Sequence, residues 1–434
     1  MKKLLIIGLM AIAPMVTFAQ SHRNCGTMDY LDQQKAQDPG LESRMEQIED
    51  QTRQLISQGT EKTGMVVTIP VVFHVLYNTS TLNISDARIL AQLDVLNKDF
   101  ARLNADASNT PSVFQSVAAN TNIQFCMAQR DPNGNPTNGI LRRSTTVSSF
   151  SSNNAMKFTS QGGSDAWNTS QYLNVWVCNL GGGLLGYAQF PGGAANTDGV
   201  VVLTGSVGGP SAPGTATSYN LGRTATHEVG HWLNLRHIWG DGGCGTDDFC
   251  GDTPESDASN RSCPTTHVSC GTTDMVQNYM DYTNDACMNL FTQDQKTRMQ
   301  TVMAVCPRRV NLLSSTVCTP LVQVTLTGRV RDAATLLEVI SGHDPMDSTS
   351  IPQSALSLVS VLEQGVKGMR IGRVTDLPEG CEPDVLTRLE AAFDALRNAG
   401  ATIVDVKLPS LQYCLTAYYL IAPAEASSNL ARYD

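Results

Sequence analysis

The stretch Thr226-His-Glu-Val-Gly-His-Trp-Leu-Asn-Leu-Arg-His237 decides how this chain is read. On a helix, His227 and His231 lie four residues apart on one face, so both imidazoles can bind one zinc ion. Glu228, one step around, can reach a water on that metal. A helix continued to residue 237 would turn the third histidine off this face. Asn234 stands three residues before it, and asparagine tolerates the left-handed conformation that ends a helix. The chain can therefore turn there and bring His237 back. Three histidines leave a fourth position open, the arrangement of a catalytic zinc site. Histidines at this spacing also occur as ordinary residues of amphipathic helices. The third histidine weighs against that, as does Asn278-Tyr-Met-Asp-Tyr282, which can form a turn with Met280 beneath the metal. A thioether suits such a site poorly, so Met280 is read as an apolar floor and not a ligand.

Around this motif the chain divides into parts. Residues 20–60 are polar, with one helical pattern carried by Leu41, Met45, Ile48, Leu55 and Ile56. They read as a pro-segment packing on the next domain, or as a linker. Residues 61–318 form the main domain. Residues 66–76 alternate and are β-branched, which predicts a strand. Residues 83–103 predict an amphipathic helix, with Ser85 as N-cap and Ile89, Leu93, Leu96 and Phe100 on one face. Further strands are expected at 122–128, 172–180 and 198–203, followed by the motif helix and a cysteine-rich irregular half. That order is an α+β domain with its site in a cleft. After a junction at 319–327, residues 328–434 change character. A helix is expected at 327–341, then strand 369–374, helix 383–400 and strand 402–408, a βαβ unit with a parallel strand pair.

The chain has 434 residues, 41% of them hydrophobic and 16% charged, with net charge −10. No basic stripe is available for nucleic acid or anionic lipid, so neither is an expected partner. Residues 1–19 have a basic start (Lys2, Lys3), an apolar run and a small residue before Gln20, the pattern of a cleaved secretory signal. Ten of the 12 cysteines lie between Cys25 and Cys318, a density that suits disulfides outside the cytosol. Oligomeric state is not legible.

Residues 66–318 resemble the metzincin clan of zinc peptidases, and within it the pappalysin (M43, ulilysin-like) family. The likeness runs through residues 69–74, Gly186-Tyr-Ala-Gln-Phe-Pro191, residues 198–203, the His227–Gly240 stretch and the Met280 turn. It implies a twisted mixed sheet with backing and active-site helices and a disulfide-rich second half. It also implies a secreted zinc endopeptidase in which Glu228 is the general base for a water activated by zinc, acting on protein or peptide substrates. Tyr282 matches the family tyrosine that hydrogen-bonds the tetrahedral intermediate; a packed turn tyrosine is the other reading. Asp285 stands where the family walls its S1′ pocket and would favour Arg or Lys after the cut bond; a solvated loop aspartate is equally consistent. Asp241, Asp247, Asp248, Asp252 and Thr253 form a Gly-rich acidic loop. Family members that bind calcium make Asp252 and Thr253 candidate calcium ligands; on spacing alone, which does not fit an EF-hand, a solvated acidic loop is equally consistent. Arg23-Asn-Cys-Gly26 looks like a cysteine-switch motif, with Cys25 as the latent-state ligand or else a disulfide partner. The resemblance implies the bridges Cys250–Cys270 and Cys263–Cys287. His74 reads as a core or sheet histidine, and His22, His267 and His343 have no ligand partner at useful spacing.

Residues 328–434 resemble an internal fragment of a second family, the amidase-signature enzymes, specifically the A chain of the glutamyl-tRNA(Gln) amidotransferase complex. The likeness rests on residues 331–350, Gly368-Met-Arg-Ile-Gly372 and residues 418–434. That family's Ser–cis-Ser–Lys set lies in a Gly/Ser-rich signature not found here, so no catalytic residue carries over. Two alternatives to the peptidase remain open: a component of a tRNA-dependent amidation complex, and a non-catalytic zinc-binding adhesion module.

Overall fold

A computed structural model describes residues 23–59, 66–318, 330–340, 357–375 and 383–408. The signal pattern, the junction, His22, His343, Cys381, Cys414 and residues 418–434 lie outside the described residues. Two compact units divide between Val322 and Gln323.

In the first unit, α1 (Thr27–Gln37) and α2 (Leu41–Ser57) precede the sheet. The helical pattern expected on Leu41, Met45, Ile48, Leu55 and Ile56 is α2, and α1 precedes it without such a pattern. The sheet contains β1 (Val67–Tyr77), β2 (Ile123–Met127), β3 (Ile140–Ser144), β4 (Leu173–Cys178), β5 (Gly186–Ala188) and β6 (Val200–Leu203). Its order is β2-β1-β4-β6-β5, and β3 pairs with the second half of β1. All pairs are parallel except β5 on β6, where Gly186 faces Val202 and Ala188 faces Val200. Central parallel strands are covered on both faces, which is why β1 reads as a nearly continuous apolar run. Val71, Phe73 and Val75 face one core with α3 (Asp86–Phe100) and α4 (Arg223–Trp232), while Leu76 faces a second core with Trp176, Tyr187 and Val201. β5 is a short antiparallel edge that no periodicity announces.

Ser85 caps α3 as expected, its hydroxyl accepting from the Arg88 amide. Ile89, Leu96 and Phe100 are buried beneath it. Asp99, also buried, ties α3 to α4 by accepting from Thr226 Oγ1 at 2.7 Å and pairing with Arg223 at 3.0 Å.

Among the elements of the second half that the sequence pattern did not announce is α5 (Gln293–Val305), started by a Thr292/Gln295 capping box. Gln295 also exchanges two side-chain hydrogen bonds of 3.0 Å with Asn278, and Asn278 Oδ1 accepts from the Met280 amide. Arg298 of α5 donates to the Asn234 carbonyl at 2.8 Å. One helix therefore braces both the Met280 turn and the end of α4. α2 packs on α5, where Glu49 pairs with Arg298 through two guanidinium nitrogens and accepts from Asn234 Nδ2.

Three disulfides staple this unit: Cys126–Cys318, Cys244–Cys270 and Cys263–Cys287. The expected Cys250–Cys270 bridge is corrected, because Cys270 takes Cys244. Cys250 is a buried thiol held in the Asp248–Thr253 turn, its amide donating to Asp248 and its carbonyl accepting from Thr253.

The second unit has helix Val330–Ile340, strand Arg370–Val374, helix Pro383–Asn398 and strand Thr402–Val406, with the two strands parallel as their βαβ spacing predicts.

Burial works to raise the Glu49 carboxyl, but the hydrogen bonds and charge of Arg298 outweigh it and hold it below the ordinary glutamate range. The pair therefore contributes fully above the ordinary pKa and is lost as pH falls through the depressed one. Glu49→Gln leaves the buried Arg298 charge without its partner and is expected to cost about 2 kcal/mol. Calorimetry at neutral pH should show the melting midpoint lowered by about 5 °C, with the gap closing in acid; an equal midpoint at neutral pH would mean the pair holds nothing.

Candidate metal centre

Every residue of α4 is buried, so the helix is clamped before any metal is considered. Its end is where the sequence reading located it: Asn234 has φ 73°, and the Leu235 amide returns to the Gly230 carbonyl. The chain doubles back and His237 joins His227 and His231. His231 Nε2 lies 3.1 Å from His227 Nε2 and 3.1 Å from His237 Nε2.

The opposite ring nitrogens explain what this arrangement can hold. His227 Nδ1 meets the Tyr279 carbonyl at 2.7 Å, His231 Nδ1 the Leu235 carbonyl at 2.8 Å, and His237 Nδ1 the Asp241 carboxylate. All three partners only accept, so each Nδ1 carries the proton. Burial, then the neighbouring imidazoles, push His227 and His231 well below the usual histidine range. With the ring proton on each Nδ1, three Nε2 lone pairs turn toward one point. No hydrogen bond can join them, and a cation fits. Asp241, grouped from sequence with the acidic loop, instead orients His237.

Cys25 Sγ completes a four-residue cluster with the histidines, with ligand atoms within 4.8 Å of one another. Burial, then the Glu228 charge, raise its thiol well above the ordinary value. A bound divalent cation reverses that preference, because coordination deprotonates a thiol. Glu228 lies beside it, its Oε2 accepting from Thr27 Oγ1 at 3.0 Å and from Cys25 Sγ at 3.4 Å. Burial lifts its carboxyl to about 8, against the Thr27 and Cys25 hydrogen bonds and the Arg23 charge. Two glycines make room. A Cβ at Gly186 would come within 2.9 Å of the Glu228 carboxylate, and one at Gly230 within 2.4 Å of Met280 Sδ. Met280 is fully buried, with its Sδ beneath Gly230 of α4.

Tyr282 stands over the centre, its ring 5.0 Å from His237, and its hydroxyl donates to the Cys25 carbonyl at 3.3 Å. Asp285 is not a solvated loop residue. It is buried, with Oδ2 accepting from the Leu221 and Arg223 amides and Oδ1 from Arg23 at 2.6 Å. Arg23 is itself buried, its backbone amide donating to Tyr219. Residues 24–27 lie along the β5 edge: Leu185 N donates to Asn24 O, Gly26 N to Gly186 O, and Ala188 N to Thr27 Oγ1. That edge was invisible in sequence because three residues carry no period.

The other candidates are placed as follows. Asp252 Oδ2 accepts from the Asp294 amide while its buried Oδ1 has no partner, and Thr253 donates to Asp248 and to the Cys250 carbonyl. His74 is a buried sheet histidine between Ser164 and Asn174, both at 2.9 Å. His267 does gain partners, contrary to the sequence expectation: the fold brings Asp274 to 2.7 Å from its Nδ1, with Asp257 close by.

The comparisons agree with this geometry. The M43 peptidase family, described as pregnancy-associated plasma protein-A, matches residues 158–304, and the amidase family matches residues 317–434. An extracellular metalloprotease of Arthroderma benhamiae is 31% identical over 246 residues, covering 54% of this chain and 76% of that protein. The A chain of glutamyl-tRNA(Gln) amidotransferase from Rhodospirillum rubrum is 46% identical over 110 residues, 25% of this chain, and the match spans only 22% of that protein's length. Among solved structures, a mutant of Tannerella forsythia promirolysin is 46% identical with TM-score 0.61, covering 67% of this chain and 97% of that one. Mature mirolysin of Tannerella forsythia, in complex with a cleaved peptide, is 51% identical with TM-score 0.55, covering 58% and 96%. Three inward lone pairs, the Met280 floor and this likeness along the relatives' length lead to one conclusion: the chain belongs to the M43 family of zinc metalloendopeptidases, with an amidase-like stretch at its C-terminus.

Proposed function

We propose that this chain is the latent form of a secreted zinc endopeptidase that cuts peptide bonds preceding Arg or Lys. The observation that carries it is the filled cleft: Cys25 faces the three Nε2 atoms while Arg23 occupies the Asp285 pocket. Residues 20–60 are then a pro-segment. The zymogen form of mirolysin aligns with more of this chain than the mature form does, in keeping with that. Secretion draws support from the N-terminal signal pattern, the three disulfides and the extracellular relative.

His227, His231 and His237 would hold the zinc, which when bound would supply Lewis-acid polarisation of a scissile carbonyl and a lowered pKa for water. The residues of the chain do the rest. Glu228 takes the proton from the attacking water as its oxygen bonds to the carbonyl carbon. The same carboxyl returns that proton to the leaving nitrogen as the C–N bond breaks. Tyr282, which here donates to the Cys25 carbonyl, donates to the carbonyl oxygen of substrate as its charge develops. The β5 edge pairs with substrate backbone where residues 24–27 now lie, and Asp285 receives the guanidinium or ammonium group.

Glu228→Gln should retain zinc by elemental analysis and lose peptide hydrolysis about 10³-fold; an unchanged rate would remove the proposed base. Cys25→Ser should give activity on an arginine-containing reporter peptide before any pro-segment cleavage, and adding Asp285→Ala should abolish the Arg/Lys preference in a library digest. A latent Cys25→Ser chain would refute the thiol lock. Calcium at the loop of Asp252 and Thr253 is proposed from the unpartnered buried Asp252 Oδ1. Calcium at 100 times its dissociation constant should stabilise the protein by about 2.7 kcal/mol; a melting curve indifferent to calcium and to chelator would exclude the site.

A further inference from the structure

Beyond the metal, the first helix plugs a second recess. Tyr30 is almost wholly buried, although α1 carries few other apolar residues. Its ring lies 4.8 Å from that of Tyr187 on β5, tilted by 55°. Its hydroxyl donates to Gln189 Oε1 at 3.2 Å, and that oxygen also accepts from Gln34 and from Thr197 Oγ1 at 2.6 Å. Lys157 closes the recess. It is completely buried, anchored by donating to the Thr197 carbonyl at 2.7 Å. Its Nζ is 4.8, 5.3 and 5.0 Å from the ring centres of Tyr30, Trp176 and Tyr187.

Of these groups, only Tyr30 and Gln34 belong to the proposed pro-segment. When it leaves, Lys157 Nζ loses one of three aromatic neighbours and Gln189 Oε1 loses two donors. What remains is a slot with an aromatic wall, the Lys157 amine fixed on the Thr197 carbonyl, and the Gln189 Oε1 acceptor, to which Thr197 Oγ1 still donates. An incoming phenol side chain restores the ring beside Tyr187 and Lys157 Nζ and one of the two donors lost by Gln189 Oε1. The position of the slot is set by β5. Asn24 pairs at Leu185, Gly26 at Gly186 and Thr27 at Ala188, so moving along the strand toward Gln189 leads away from Arg23 and Asp285. A strand laid on this edge directs alternate side chains to the two sheet faces. Tyr187 belongs to the face opposite α4, so the side chain that enters the slot is one pointing away from the zinc helix.

We propose that the recess filled by Tyr30 is a substrate subsite on the N-terminal side of the cut bond, formed by Lys157, Tyr187 and Gln189, that selects a tyrosine side chain. It rests on the cleft assignment proposed above, with Asp285 receiving the residue after the cut. The test uses the full chain after pro-segment removal and peptides with Arg fixed after the scissile bond. Tyr, O-methyl-Tyr, Phe or Ala is placed in turn at each of the four preceding positions. At one of them Tyr should raise kcat/KM about tenfold over Ala. O-methyl-Tyr, which keeps the ring but cannot donate to Gln189, should forfeit most of that gain. Lys157→Met, accepted only if it retains zinc, should bring the Tyr-to-Ala ratio near one. Equal rates for Tyr and Ala at all four positions, with Arg still required after the cut, would overturn the subsite and leave the cleft assignment standing. Indifference to Arg itself would instead overturn the assignment on which the subsite rests.

Discussion

Three imidazole lone pairs pointing at one another are unfavourable unless a cation lies between them, and this unit is organised to hold them there. Each ring is kept in one tautomer by an acceptor from a different place: the Tyr279 carbonyl in the Met280 turn, the Leu235 carbonyl just past α4, and the Asp241 carboxylate four residues beyond His237. Any one of these failing would let a ring rotate or protonate. α5 matters for this reason. Through Gln295 it holds Asn278 and the Met280 turn, and through Arg298 it holds the carbonyl of Asn234, where the chain reverses. A helix that contributes no ligand thus controls the geometry of all three.

The first two helices exploit the same scaffold. With Arg23 just before them, they place several buried polar contacts on the next domain: Arg23 on Asp285, Thr27 on Glu228, Tyr30 on Gln189 and Glu49 on Arg298. Such contacts are specific in geometry, and losing one partner exposes an unpaired group in the other. A segment held in this way fits tightly while intact. Glu49 also reaches Asn234, so α2 touches the reversal that returns His237.

The two units of the chain follow different physical logics. The first is closed by three disulfides around sheet cores covered on both faces. The second matches an internal portion of a much longer protein family. Its strand Arg370–Val374 has no fully buried residue, unlike the central strands of the peptidase unit. A parallel pair normally has helices over both faces, and the described residues of this unit leave much of that surface exposed.

Local chemistry made part of this legible without coordinates. The spacing of His227, His231 and His237, the left-handed Asn234, the Ser85 cap, the apolar run of β1 and the βαβ order of the tail are each written in a few consecutive residues. Their physics acts over the same short range. Other features needed the folded chain because their partners are distant in sequence. Cys270 chooses Cys244 over Cys250 because a turn at Asp248 directs one thiol inward, a choice that spacing cannot reveal. Asp285, ambiguous as a loop residue, is a buried acceptor for the Leu221 and Arg223 amides and for Arg23, 262 positions away. The three-residue β5 edge and the Lys157 recess exist only as surfaces between elements. The sequence alone determined which residues could bind a metal; tertiary packing decided which acceptors orient them and what fills the cleft, because burial and long-range hydrogen bonds are properties of the fold.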